Sequence, residues 1–159
     1  MSRFLFLAVP FALTGVAPAA TAAESMSPHK VVDAATIQWG PGPAALPTGA
    51  KAALLYGDPT KAELFVLRLW FPKGYRIAPH SHPKPEVLTI ISGGLLLGMG
   101  TNAVKAGTRR LRPGSFTAMA PGMPHYASTN EETVIQISTT GPWAVHYVNP
   151  ADDPRNKRK

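Results

Sequence analysis

Pro79-His80-Ser81-His82-Pro83-Lys84-Pro85-Glu86 is the stretch on which the reading of this chain turns. On an extended backbone, residues two apart point to the same face, so His80 and His82 aim two imidazoles at one point. Glu86 follows a proline-bounded bend, which lets its carboxylate return from the start of the next strand. Further on, Pro121-Gly122-Met123-Pro124 makes a rigid corner that presents His125 as a third imidazole. Three neutral imidazoles and one carboxylate suit a divalent transition metal, with positions left over for water or substrate. Iron, manganese, nickel, copper and zinc all accept such ligands, so the donor set predicts one ion without choosing it. The chain has no cysteine, which removes thiolates from any metal site or covalent mechanism.

Outward from this stretch the chain reads as short strands punctuated by proline and glycine, with almost no helix signal. Leu64 to Phe71 is predicted as a strand with Phe65, Leu67, Leu69 and Phe71 on one face. Val87 to Ile91 is a second, closed by Ser92-Gly93-Gly94, read as a hairpin turn into Leu95 to Met99. Ser115 to Met119, Val134 to Ser138 and Trp143 to Val148 supply three more. Roughly eight strands without a long helix predict a closed barrel or jelly roll. The Ala- and Pro-rich segment before residue 48 is expected to wrap the barrel, with an edge strand near Thr36-Ile37-Gln38-Trp39. If Glu86 points inward, Leu88 and Ile90 do too, making an apolar wall that is either substrate lining or ordinary core. Val87, Thr89 and Ile91 then face outward as an apolar stripe, from which a homodimer is expected. Arg76 shares strand parity with His80 and His82 and could reach an anionic substrate group; a solvent-facing arginine is the commoner reading. Tyr126 should point away from the site, and His146 is read as structural or surface. His29 belongs to the N-terminal segment. Trp39, Trp70 and Trp143 are read as packing residues.

These residues resemble the cupins. Gly74, His80, His82, Glu86 and Gly93 match the first cupin motif at every spacing. Gly114, Gly122 and His125 match the second, but Ala120 stands at its Pro position and Thr129 at its Asn position. Neither departure touches a metal ligand. More loosely, the ending Gly141-Pro142-Trp143 through Tyr147-Val148-Asn149-Pro150 resembles that of small exported bacterial cupins. The resemblance implies an all-β, single-domain jelly-roll barrel with the metal near one mouth. Metal there can activate dioxygen, polarise a carbonyl or enolate, or lower the pKa of water. A metal-dependent oxygenase acting on a small organic molecule leads. The alternatives are a non-catalytic small-ligand binding or sensing module and a metal-dependent isomerase or decarboxylase.

The N-terminus reads as a signal peptide: Arg3, an apolar run from Phe4 to Leu13, then Ala20-Thr21-Ala22. The apolar run is too short for a membrane span, so a periplasmic or secreted protein without a span after cleavage is expected. The divisions are then signal peptide 1–22, N-terminal arm 23–50, barrel 51–150 and basic tail 151–159. The formal charge of +7 owes much to Arg109-Arg110-Leu111-Arg112 and the tail. A solvated tail is expected there, not specific nucleic-acid binding.

Overall fold

The computed structural model describes residues 29–157. The predicted signal peptide, the first residues of the arm, Arg158 and Lys159 lie outside the described residues. Eleven strands are described: β1 (Gly40–Pro41), β2 (Lys51–Tyr56), β3 (Leu64–Phe71), β4 (Arg76–Ser81), β5 (Glu86–Ser92), β6 (Leu95–Met99), β7 (Thr108–Leu111), β8 (Phe116–Met119), β9 (His125–Thr129), β10 (Thr133–Thr140) and β11 (His146–Tyr147). They form two antiparallel sheets, ordered β1-β2-β3-β10-β5-β8 and β11-β4-β9-β6-β7. From β3 to β11 the chain changes sheet at every connection except β6 to β7. That alternation is how a jelly roll closes two sheets over one core.

Alternation along the strands supplies the core. In β3, Phe65, Leu67, Leu69 and Phe71 are buried while their neighbours are half-exposed, as the period-two pattern predicts. Ile135 and Ile137 of β10 lie opposite Leu69 and Leu67, and Leu88 and Ile90 of β5 face the same interior. The second sheet contributes Ile77, Leu95, Leu97, Leu111 and Ala127 to that cluster. Val87 and Thr89 fall on the outer face, half-buried, and Ile91 is exposed.

Four local expectations are corrected. Ser92-Gly93-Gly94 is a corner between sheets, because β5 pairs with β10 and β8 whereas β6 pairs with β7 and β9. The Thr133 hydroxyl fixes that corner, accepting from Gly94 N at 3.2 Å and donating to Gly94 O at 3.1 Å. Residues Ala34–Thr36 form a 3-10 turn capped by Asp33, so the edge strand starts later, at Gly40. The last strand shrinks to His146–Tyr147, since Trp143 N bonds instead to Pro59 O and Val145 turns fully inward. Finally, the arm also builds the core: Leu46 and Ala50 are buried within it.

Tyr126 points out of the barrel, as expected, and pins a loop there. Its hydroxyl donates to Val104 O at 2.9 Å and accepts from Val104 N at 3.1 Å. The ring lies over Gly98, where an added Cβ would come within 2.1 Å of a ring carbon. Gly98→Ala is therefore expected to displace Tyr126 and cost about 1–3 kcal/mol, the usual range for overpacking. Denaturant unfolding checks it; an unchanged midpoint would show that the ring is not held there.

Candidate metal centre

β4 and β9 lie side by side and bring His80 opposite His125. His82 follows β4 directly, and β5 opens on Glu86, as the bend predicts. The bend is tied down by the Thr139 hydroxyl, which donates to Pro85 O. The corner before His125 is tied to the same place, with Gly122 N donating to His82 O at 2.8 Å. Gly122 sits at φ +73°, a left-handed conformation suited to glycine. Its neighbour Ala120 does not impair the corner. Thr129, at the motif's Asn position, is equally well used: it accepts from Tyr75 N at 3.1 Å and donates to Pro72 O at 2.7 Å.

All four predicted side chains are buried and converge. His80, His82, Glu86 and His125 are 3–5% exposed. The three histidines each offer a ring nitrogen within 4.8 Å of the others, so they could hold a metal ion. Each Nδ1 faces a backbone carbonyl: Ala78 for His80 and Ala144 for His82, both at 2.8 Å, and Met123 for His125 at 3.1 Å. A carbonyl can only accept, so each Nδ1 carries a proton, and in the neutral ring Nε2 presents a lone pair. Glu86 places Oε1 and Oε2 at 3.4 Å from Nε2 of His82 and of His125. Burial pushes the His80 imidazole down to about 3 and lowers His82 as well, so both rings are neutral at ordinary pH. Burial raises the Glu86 carboxyl, but His125 and the other imidazoles outweigh it and hold the group below the usual carboxylate range. At His82 a lone pair thus faces a carboxylate oxygen across 3.4 Å in the buried interior, an arrangement that a shared cation reconciles. The donors of one ion at ~2.1 Å from it sit about 3–3.5 Å apart, which these contacts match. His82 Nε2 is moreover buried without a hydrogen-bond partner, as a metal donor is before its ion binds.

Around the donors lies a cavity with about 30 Å³ open to the centre of a water-sized body, lined also by Leu69, Phe71, Ile77, Leu88, Ile135 and Trp143. Leu69, Phe71 and Leu88 are thus lining and core at once, while Phe65, Leu67 and Ile90 are core alone. Arg76 does not reach the site. The pairing of β4 with β9 shifts register between Ile77 and His80, which breaks the expected parity and turns Ile77 inward instead. Arg76 is exposed and lines a separate groove of about 570 Å³ with Lys105 and Ser128. His146 is exposed on β11.

Two contributors have no signal in the side-chain pattern. Trp143 stacks on His82, with ring centroids 5.6 Å apart and planes 16° apart. Its segment is fastened by Gly141 N to Glu63 O at 3.0 Å and Trp143 N to Pro59 O at 2.8 Å. It is fastened again from the tail, where Arg155, paired to Asp153 at 2.6 Å, donates to Val145 O at 2.9 Å. Part of the basic tail is therefore a clasp on the segment that carries the His82 carbonyl partner.

A protein-family profile described as a domain of unknown function (DUF4437) matches residues 14–146, most of the chain. The chain belongs to the DUF4437 family. No curated protein matches it by sequence. Solved structures, a cupin among them, share the fold of this DUF4437 protein. It is similar to the polyketide cyclase RemF from Streptomyces resistomycificus at 18% identity, TM-score 0.63, covering 80% of this chain and 91% of that one. It is similar to the DMSP lyase DddQ from Ruegeria pomeroyi at 22% identity, TM-score 0.57, covering 73% and 63%. An RmlC-like cupin from Shewanella frigidimarina aligns at 18% identity, TM-score 0.56, over 72% and 91%. At such identities the likeness establishes the fold of this DUF4437 protein, and its chemistry has to be argued from its own residues.

Proposed function

We propose that this DUF4437 protein is a metal-dependent oxygenase acting on a small organic molecule, its single ion held by His80, His82, His125 and Glu86. The observation that carries the reading is the convergence of three imidazoles and one carboxylate inside an aliphatic cavity. When bound, a redox-active ion supplies the means to activate dioxygen. The chain's own residues do the rest. The carbonyls of Ala78, Ala144 and Met123 fix each imidazole in one tautomer, which orients its donor nitrogen and raises its basicity. Glu86 brings a negative charge that offsets part of the ion's own. Leu69, Phe71, Leu88 and Ile137 keep bulk water from the site, which strengthens every electrostatic contact within it. The cavity, about two waters in capacity, suits dioxygen or the reacting end of a small substrate.

The test is elemental analysis of the purified protein, then oxygen uptake with a panel of small organic acids and phenols. One iron, manganese, nickel or copper per chain, with substrate-dependent uptake, is the expected result. Zinc alone, with no uptake after exchange for iron or manganese, would replace the oxygenase by an isomerase, decarboxylase or binding module. No metal even after reconstitution would remove the centre altogether.

A further inference from the structure

Among the described residues, two buried side-chain nitrogens lack a hydrogen-bond partner: His82 Nε2 and Trp143 Nε1. Native interiors leave few such atoms, and each one asks for an explanation. These two belong to rings stacked on each other, and both rings line the same cavity. Their needs are opposite. His82 Nε2 is a lone pair, because its Nδ1 proton is committed to Ala144 O. Trp143 Nε1 is a donor and nothing else. An ion answers the first need and leaves the second open.

We propose that Trp143 is the substrate-reading residue of the site: its indole N–H donates to one oxygen of a carboxylate whose other oxygen lies on the ion. The inference rests on the metal reading above. A carboxylate meets both requirements with two oxygens on one carbon, and its charge complements an ion already bearing only one carboxylate from the chain. The aliphatic lining then takes the apolar part of the acid, and a one-carbon acid, the smallest carboxylate, asks least of a cavity about two waters in capacity. No other charged or hydrogen-donating side chain of the lining competes for the role, since Arg76 faces the outer groove and the Nδ1 protons are all engaged. A substrate of the same size without a second acceptor oxygen leaves the indole proton unsatisfied and is disfavoured for that reason.

The probe is formate, titrated into cobalt-loaded protein and followed by the visible absorption of the ion, in wild type and Trp143→Phe. Phenylalanine keeps a ring against His82 and removes only the N–H. The expected result is one cobalt per chain in both proteins and a formate Kd raised about tenfold or more in the variant, the loss for one hydrogen bond to a charged acceptor. A second measurement needs no variant at this position. In zinc-loaded wild type labelled with ¹⁵N, formate should move one of three indole N–H resonances, that of Trp143, with the other two assigned through Trp39→Phe and Trp70→Phe. Equal formate affinities, or an unmoved Trp143 resonance, with metal bound in full, would overturn the role of Trp143 alone. A wild-type protein that takes up neither cobalt nor zinc would overturn the metal reading and this inference with it.

Discussion

His82→Ala is expected to lower metal affinity by roughly two to three orders of magnitude. Structural zinc sites bind with ~10–16 kcal/mol in all, so each of four donors carries on the order of 3 kcal/mol. His82 is the donor whose loss tells most, because its Nε2 is the buried one without any other partner. The substitution also withdraws the proton from Ala144 O and the ring from Trp143, so retention cannot be rescued by a neighbouring group. Competition with a chromophoric chelator measures the change, and His146→Ala, on an exposed histidine of β11, is the control that should leave affinity within twofold. Undiminished affinity in His82→Ala would mean that the ion, if any, sits elsewhere.

Phe71→Ala should destabilise the fold by about 3–5 kcal/mol and lower Tm by roughly 10 °C or more. Phe71 is fully buried at the end of β3, stacked on Tyr75 with centroids 4.8 Å apart. The Tyr75 hydroxyl in turn donates to Pro47 O and so holds the arm against the barrel. Removing the ring opens a void that the paired strands on either side cannot close by collapsing. Phe116→Ala, on a side chain 63% exposed, is the reference and should stay within about 0.5 kcal/mol. A loss below 1.5 kcal/mol at Phe71 would mean that the core is not packed as described.

Much of this was readable beforehand because it depends on spacing. Two-residue parity brought His80 and His82 together, and proline corners returned Glu86 and His125 to them. The same parity failed at Arg76, where one extra residue in β4 relative to β9 reverses the side chains and nothing in the local composition announces it. The pairing of strands failed at Ser92-Gly93-Gly94 for a related reason: a glycine pair serves a hairpin and an inter-sheet corner equally well, and only the distant Thr133 decides. Trp143 was read as packing because an aromatic ring near an ending usually is. Its place over His82 is set by backbone bonds to Pro59 and Glu63, which carry no side-chain signature.

Two of the three imidazoles are oriented by carbonyls two residues earlier in the chain, Ala78 for His80 and Met123 for His125. The third depends on a carbonyl 62 residues away, on a segment itself clasped by Arg155. The centre therefore has an order of assembly. Pairing of β4 with β9 is enough to bring His80 and His125 together. The third imidazole is oriented only when the Gly141-to-Val145 segment docks, a contact between parts of the chain still farther apart. The third donor is therefore a report on whether the far end of the chain has docked.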